Sequence, residues 1–304
     1  MKKLVMTSLA AVLSPFLAMP AVAQCVSADP AAIPEIRIDP LDATGPSQFV
    51  QPFTLRFRRV GIDTSPLTVT YQIVDEDSPL QERVGMNGGP QIEWRSNDTS
   101  RNIGALRQES FALLRSGTVS FAAGETTKQA GLRLFLTNLR EDLPAGTYRE
   151  QYTVRYWCGD PNATAANELT GVLPVVVRIP NVLSATVAGG SRHGQIDFLD
   201  FAALSRSLSI SVRSTGPYTV SARTLNGGAL KREGATGNAA ADRIPYTMKF
   251  GGQPLDEASG ASFTYPRAGL QGIQIPLDVR VADVSKNRAG KYSDTLMLTL
   301  TPAS

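Results

Sequence analysis

Hydrophobic and polar residues alternate with a period of two along most of this chain. The alternation is clear in residues 53–57, 67–73 and 132–136, and it returns in residues 208–212 and 296–300. A period of two places every second side chain on the same face of a β-strand. Glycine, proline, asparagine and aspartate interrupt the runs at the spacing typical of β-sandwiches. The pattern predicts an all-β protein in which only residues 102–114 are compatible with a helix.

One sequence pattern occurs twice. Ala145-Gly146-Thr147-Tyr148 opens one long alternating run, and Ala289-Gly290-Lys291-Tyr292 opens another at a constant offset of 144 residues. Glycine permits the turn, and the tyrosine hydroxyl can anchor a corner. Any sandwich contains such a turn, but two copies at corresponding positions indicate a duplicated architecture. We therefore expect two β-sandwich domains, at residues 24–180 and 181–304.

The sequences that follow the two copies of the pattern differ. The first copy is followed by a further strand pattern at residues 169–179, whereas the sequence stops soon after the second. The C-terminal sandwich is therefore expected to lack its last strand, which leaves an unpaired edge and an apolar groove that can bind a strand from another chain. The predicted groove residues come from a first strand and from the closing strand: Leu183, Ala185, Val187, Leu296, Leu298 and Leu300.

The composition excludes much enzyme chemistry. The 304 residues contain 30 Lys and Arg against 27 Asp and Glu, and the net charge of +3 is too small for extensive phosphate binding. One histidine and two cysteines cannot build the usual zinc sites. We expect no catalytic residues, cofactor, metal or nucleic-acid partner. Paired carboxylates for glycoside hydrolysis stay open, but no pair is marked by its context.

Residues 1–23 have the features of a secretory signal. Lys2 and Lys3 precede an apolar stretch at residues 4–17, and Ala21-Val22-Ala23 matches a cleavage site. Export places the chain in an oxidising compartment, where Cys25 and Cys158 are expected to form a disulfide. The alternative is a pair of free or catalytic thiols, which would need a nearby base.

The C-terminal half resembles a known family. Residues 182–301 resemble the spore coat protein U domain that is found in subunits of archaic chaperone–usher pili. The residues that carry this resemblance are Gly194-Gln-Ile196-Asp-Phe198, Pro217-Tyr-Thr-Val220, Ile244-Pro-Tyr246-Thr-Met248 and the closing run from Ala289 to Leu300.

The resemblance implies an immunoglobulin-like fold that lacks its last strand. A periplasmic chaperone, and then the next pilus subunit, would supply that strand, with an outer-membrane usher as a further partner. The C-terminal half contains no cysteine, although related domains often carry an internal disulfide. The implied destination is the cell surface, reached through the periplasm.

The N-terminal half suggests the position of the subunit in the pilus. A subunit within the fibre would begin with a free donor segment, but residues 33–41 contain Pro34 and Pro40 and are predicted to form the first strand of the N-terminal sandwich. The whole chain thus resembles a two-domain tip adhesin. The alternatives are an adaptor or other minor pilus subunit, a two-domain periplasmic chaperone, and a secreted carbohydrate-binding or carbohydrate-active β-sandwich protein.

The ligand of the N-terminal sandwich is the least constrained prediction. Met86, Ile92 and Trp94 flank a Gly-Gly-Pro turn, and together they are the candidate loop for binding an abiotic surface or a glycan. The alternative is that Ile92 and Trp94 alternate into the core of the sandwich.

Overall fold

The structure of the protein is a computed structural model. It describes residues 24–30, 32–42, 48–75, 89–98, 100–106, 115–139, 142–255 and 262–303. The expected signal segment and Met86 lie outside these ranges. Within them the regular structure is almost entirely β-strand, which confirms the all-β prediction. The segment at residues 102–114, whose sequence is compatible with a helix, contains a strand at Gly104–Leu106, and residues 107–114 lie outside the described ranges.

The described strands of the N-terminal half form two facing sheets, which we call the N-terminal sandwich. The strands are β1 (Val26–Pro30), β2 (Ile36–Arg37), β3 (Phe49–Arg59), β4 (Leu67–Asp75), β5 (Gln91–Ser96), β6 (Gly104–Leu106), β7 (Gly117–Phe121), β8 (Thr127–Thr137), β9 (Gly146–Cys158) and β10 (Asn167–Ile179). One sheet has the order β1-β3-β8-β5. The other has the order β2-β10-β9-β4-β6, with β7 also paired to β4.

The first two strands of the N-terminal sandwich belong to opposite sheets. β1 pairs antiparallel with β3, and β2 then pairs parallel with β10 in the opposite sheet. The first strand was expected at residues 33–41, but that segment holds only the two-residue β2, and β1 comes before it. Pro34 lies between the two short strands, in the crossing between sheets.

Aromatic side chains fill the space between these two sheets. Trp94 contacts the ring of Phe53 edge-on at a centroid distance of 5.2 Å and that of Tyr152 at 5.0 Å. Trp94 and Tyr152 are each 1% exposed. Large rings of this kind contribute much of the apolar area that a sandwich core buries.

The C-terminal half forms a second pair of sheets, which we call the C-terminal sandwich. Its strands are β11 (Leu183–Val187), β12 (Ser205–Ser214), β13 (Tyr218–Thr224), β14 (Ala229–Arg232), β15 (Arg243–Phe250), β16 (Gln253–Leu255), β17 (Phe263–Tyr265), β18 (Gly269–Val281), β19 (Tyr292–Ser293) and β20 (Leu296–Pro302). The larger sheet has the order β11-β12-β18-β15-β14-β19, with β16 paired to β15. The smaller sheet has the order β17-β13-β20.

The two sandwiches have separate cores. The buried residues of one cluster lie between Val26 and Val177, and those of the other lie between Phe198 and Val281. Among the described strands, no sheet contains strands from both halves.

A polar junction joins the two sandwiches. The carboxylate of Asp142 accepts hydrogen bonds from the guanidinium of Arg267 at 3.0 and 2.6 Å and from the backbone N–H of Leu270 at 2.9 Å. The backbone N–H of Ala145 donates to the carbonyl of Thr215 at 2.7 Å. These contacts place the end of the C-terminal sandwich that carries Thr215 beside the start of β9.

The predicted disulfide is present between Cys25 and Cys158. It ties the residue before β1 to the last residue of β9, at the end of the N-terminal sandwich that lies away from the junction. The hydroxyl of Tyr156 donates to the carbonyl of Val26 at 2.8 Å in the same region. The covalent and polar links together hold β1 against β9.

Replacing both cysteines with alanine should destabilise the N-terminal sandwich by about 2 to 5 kcal/mol, because the disulfide restricts a long loop of the unfolded chain. Both tryptophans of the sequence, Trp94 and Trp157, belong to this sandwich. Tryptophan fluorescence during denaturant unfolding therefore reports on it selectively. An unchanged midpoint in the double variant would show that the disulfide does not stabilise the fold.

Candidate functional site

Tyr148 in β9 and Tyr292 in β19, the short strand directly before β20, form two matching tyrosine corners. The hydroxyl of Tyr148 donates to the carbonyl of Pro144 at 2.7 Å, and that of Tyr292 donates to the carbonyl of Arg288 at 2.6 Å. In each case the acceptor lies four residues upstream. A tyrosine hydrogen-bonded to the backbone a few residues earlier is a hallmark of immunoglobulin-like sandwiches. The repeated sequence pattern therefore corresponds to a repeated structural element.

The long strands at these two corners, β9 and β20, have different neighbours. β9 lies between β4 and β10, so both of its edges are paired. β20 pairs with β13 along one edge, and no described strand pairs with its other edge. β11 is also an edge strand, since its only partner among the described strands is β12. Two free edges thus face the same gap between the sheets.

A groove of about 710 Å³ occupies this gap, and both apolar and polar side chains line it. All six residues predicted from the sequence line it, three on β11 and three on β20: Leu183, Ala185, Val187, Leu296, Leu298 and Leu300. Apolar side chains from the interior also line it: Ile196, Phe198, Leu208, Ile210, Leu277 and Val279. The groove is therefore continuous with the core of the C-terminal sandwich.

The N-terminal sandwich shows what fills the corresponding space there. Tyr152 and Val154 of β9 stand where Leu296 and Leu298 stand in β20. Both β9 residues are at most 1% exposed, whereas both leucines are only half-buried. The difference arises because β10 covers β9, with Leu173 of β10 directly opposite Tyr152. Three side chains of β10 are completely buried in this way: Leu173, Val175 and Val177.

The groove has two distinct ends. The near end lies at the junction, where the side-chain amide of Asn181 donates to the carbonyls of Ala303 at 2.7 Å and Pro217 at 3.0 Å. The far end lies beside Val187 and Leu296, the opposite termini of the two edge strands. β20 begins at the far end and ends beside Asn181, so it runs along the groove towards the junction.

The far end carries polar groups and a close backbone approach. Asp294 lines the groove and accepts a hydrogen bond from the hydroxyl of Tyr246 at 2.7 Å. Across from them, the backbone of Gly194 packs on two apolar side chains, and a Cβ at this position would lie 2.9 Å from Leu208 and 3.0 Å from Val187. A side chain at residue 194 would have to displace the methyl groups of Leu208 and Val187, which gives a physical basis for the glycine in the sequence motif.

An ion cluster anchors the corner that leads into β20. Asp242 accepts hydrogen bonds from Arg232 at 2.6 Å and from Arg288 at 3.2 Å, and Tyr292 contacts the adjacent carbonyl of Ala241 at 3.1 Å. The hydrogen bond from Arg232 lowers the pKa of Asp242, and the positive charges of both arginines act in the same direction. The ionised carboxylate therefore stabilises the folded corner.

The predicted surface-binding loop is wrong for two of its three residues. Ile92 is 6% exposed and Trp94 is 1% exposed, because the alternation of β5 directs both into the core. Met86 lies outside the described residues. Sequence reasoning did not single out Ile62, which is fully exposed in the turn after β3, two residues beyond Val60, whose backbone N–H donates to the carbonyl of Cys25 at 2.9 Å. Its position beside Gly61, outside any alternating run, was the available signal.

The described residues contain neither a metal-binding group of side chains nor a helix that could cross a membrane. Within the ranges that the structure covers, no group of three or more His, Cys, Asp or Glu side chains is placed to hold a metal ion. Over the same ranges, no helix has the length and apolar character needed to cross a membrane.

Comparisons with known proteins give similarity at low sequence identity. No protein-family profile and no curated protein matches the chain. Among solved structures, the CupB6 tip adhesin from Pseudomonas aeruginosa is 14% identical, with a TM-score of 0.41 over 91% of this chain and 96% of that one. A chain from a chaperone–tip adhesin complex of CFA/I fimbriae is 12% identical, with a TM-score of 0.33 over 86% and 78%. The YadV chaperone is 12% identical, with a TM-score of 0.25 over 90% and 100%.

Replacing Asp242 with asparagine should destabilise the C-terminal sandwich at neutral pH. A lowered carboxyl pKa contributes stability above the ordinary value of 3.8, and this contribution is lost as the pH falls through the folded-state pKa. The variant should therefore differ most from the parent near pH 7 and approach it in acid. Thermal unfolding measured from pH 7 down to pH 2 checks this, and a constant difference across the range would contradict it.

Proposed function

We propose that this chain is a pilus subunit whose C-terminal sandwich accepts a β-strand from another protein. The observation that carries this proposal is the groove between β11 and β20, which has a free strand edge on each side and an apolar floor. A free edge presents unpaired backbone N–H and C=O groups that an added strand can satisfy. Leu183, Ala185, Val187, Leu296, Leu298 and Leu300 form the donor-strand groove.

The pairing of β10 with β9 provides a template for the inserted strand. β10 runs antiparallel to β9 and places alternate apolar residues in the core. By analogy, the inserted strand runs antiparallel to β20, with its N-terminal end beside Asn181 and its C-terminal end at the far end of the groove. Its sequence must place an apolar residue at every second position to cover the leucines of β20.

The expected gain in stability is substantial. Each large apolar side chain that passes from exposure to full burial contributes about 1.5 to 3 kcal/mol. Leu296, Leu298 and Leu300 are half-buried without a strand, so each contributes part of that amount. Backbone pairing along both edges adds to it. The C-terminal sandwich should therefore be much more stable with a strand than without one.

The resemblance to spore coat protein U domains supplies the proposed partners. These are a periplasmic chaperone that protects the groove during export, an outer-membrane usher, and the next pilus subunit. The far end of the groove points away from the junction with the N-terminal sandwich. A subunit whose strand occupied the groove would thus attach on the side opposite that sandwich, which suits a position at the pilus tip.

The N-terminal sandwich is the proposed adhesive part. It supplies its own strand beside β9, so it needs no partner to complete that edge. Ile62, on the end that lies away from the junction, is the most exposed large apolar side chain of the described residues. We propose that this end contacts the surface or glycan to which the pilus attaches at the outside of the cell.

A strand peptide should stabilise the C-terminal sandwich of the full chain. The probe is a synthetic peptide with the sequence of residues 167–179, the segment that fills the equivalent place in the N-terminal half. At about 100 times its Kd the expected stabilisation is about 2.7 kcal/mol, which corresponds to a rise in Tm of roughly 10 °C. Differential scanning calorimetry measures it, and a peptide with aspartate at the positions of Val175 and Val177 is the control.

Leu298→Ala should weaken peptide binding by about tenfold or more, because the leucine is buried only when the groove is filled. Thr299→Ala is the matched control, since Thr299 is the neighbouring residue on the exposed face of the same strand. Equal effects of the two substitutions, or a chain that unfolds at the same temperature with and without the strand peptide, would contradict the proposed groove.

Ile62→Ser should reduce attachment of piliated cells to a hydrophobic surface such as polystyrene by several-fold while leaving the number of pili unchanged. Val50→Ser, at a residue that is 42% exposed on a sheet face of the same sandwich, is the control. Adhesion assays combined with pilus counts by electron microscopy make the measurement. Normal adhesion by the Ile62 variant would assign attachment to another part of the N-terminal sandwich.

A further inference from the structure

The most exposed apolar side chains are concentrated at one end of the groove. Among the described residues, four large apolar side chains are 63% to 100% exposed: Ile62, Leu199, Leu225 and Met297. The first belongs to the N-terminal sandwich, and the other three flank the far end of the groove. Soluble proteins often expose single apolar residues, but such a grouping marks an interaction surface.

Leu225 and Met297 lie on the side of the groove that β20 forms. Met297 alternates with the groove residues Leu296 and Leu298, so its side chain lies on the solvent face of the same strand, opposite Arg223 of β13. The backbone N–H of Leu225 donates to the carbonyl of Thr295 at 2.9 Å, which brings the turn after β13 against the start of β20. The two side chains are 77% and 63% exposed, respectively.

Leu199 lies on a loop at the same end. Its neighbour Phe198 lines the groove, while Leu199 itself is 74% exposed. Leu199 has a φ of +49°, a left-handed conformation that is unfavourable for a leucine. The carboxylate of Asp197 holds this conformation by accepting the Leu199 N–H at 2.8 Å. The loop thus keeps Phe198 inward and an adjacent apolar side chain outward.

We propose that Leu199, Leu225 and Met297 form an apolar collar that docks the folded body of the next pilus subunit, which supplies the strand in the assembled pilus. This inference rests on the proposed function. The inserted strand runs antiparallel to β20, so its C-terminal end leaves the groove at the far end, and the chain that follows emerges beside the collar. The partner surface is therefore the part of its folded body next to its donor strand, and it should be apolar.

The collar adds a second contact to the strand itself. A strand tethered to a folded body binds at two linked sites, so the body contact raises the affinity beyond that of the strand alone. An isolated strand peptide would fill the groove without touching the collar. The groove and the collar therefore make separable contributions.

Site-specific photo-crosslinking in the native host tests this proposal with the full chain. A benzoylphenylalanine is placed at Thr186 in the groove, at Met297 in the collar, or at Ile273 as a control on the larger sheet. We expect Thr186 to crosslink to the strand of the partner and Met297 to crosslink to the folded body of the same partner, with no crosslink from Ile273. Mass spectrometry of the crosslinked peptides distinguishes strand from body.

Each other outcome has a defined meaning. Crosslinks from Thr186 without any from Met297, or Met297 crosslinks to a second copy of this chain alone, would overturn the collar and leave the groove intact. An absence of crosslinks from Thr186 would instead count against the proposed function itself.

Serine substitutions provide a second readout with the partner recovered from the Thr186 crosslink. The double variant with Leu225→Ser and Met297→Ser should lower the affinity for the whole partner by about tenfold while leaving the stabilisation by the isolated strand peptide unchanged. Ile273→Ser should change neither. Unchanged affinity of the double variant for the whole partner would overturn the collar.

Discussion

The free edge of β20 is the constraint on which the rest of this structure depends. A β-strand carries backbone donors and acceptors on both sides, and those of a buried edge must find partners. β9 meets this requirement inside its own sandwich, through β4 on one side and β10 on the other. β20 meets it only on the side of β13 within the described residues. A groove with an unsatisfied edge is therefore part of the folded chain.

The same constraint explains why core and groove share side chains. Leu296, Leu298 and Leu300 project between the sheets like Tyr152, Val154 and Tyr156 of β9, but the layer that would cover them is absent from the described residues. A polar groove would not complete the core when filled, and a fully closed core would leave no room for a strand. On the proposed function, the stability of the C-terminal sandwich and its binding of a partner strand are thus aspects of one interaction, whereas in the N-terminal sandwich β10 already covers β9.

The six residues chosen from local sequence patterns line the groove because the strands on both of its sides alternate between apolar and polar residues. The Ala-Gly-x-Tyr repeat marked β9 and β20 as equivalent, and the alternation then identified the six lining residues. Alternation could not decide which face of β5 points inward, so the sequence left open whether Ile92 and Trp94 lie in a surface loop or in the core, where the structure buries them. Long-range pairing was also beyond local reasoning: Gly104–Leu106 is a strand because it pairs with β4, and Asp142 meets Arg267 across 125 residues.

Hydrogen exchange of the backbone amides tests the central claim most directly. In the chain without a bound strand, the amides of β20 that point away from β13 should exchange rapidly, whereas those of β9 should be strongly protected on both sides. Binding of a strand should slow exchange along β20 and β11 together and leave β9 unchanged. Protection of β20 equal to that of β9 in the unbound chain would show that its edge is already paired and would contradict this account.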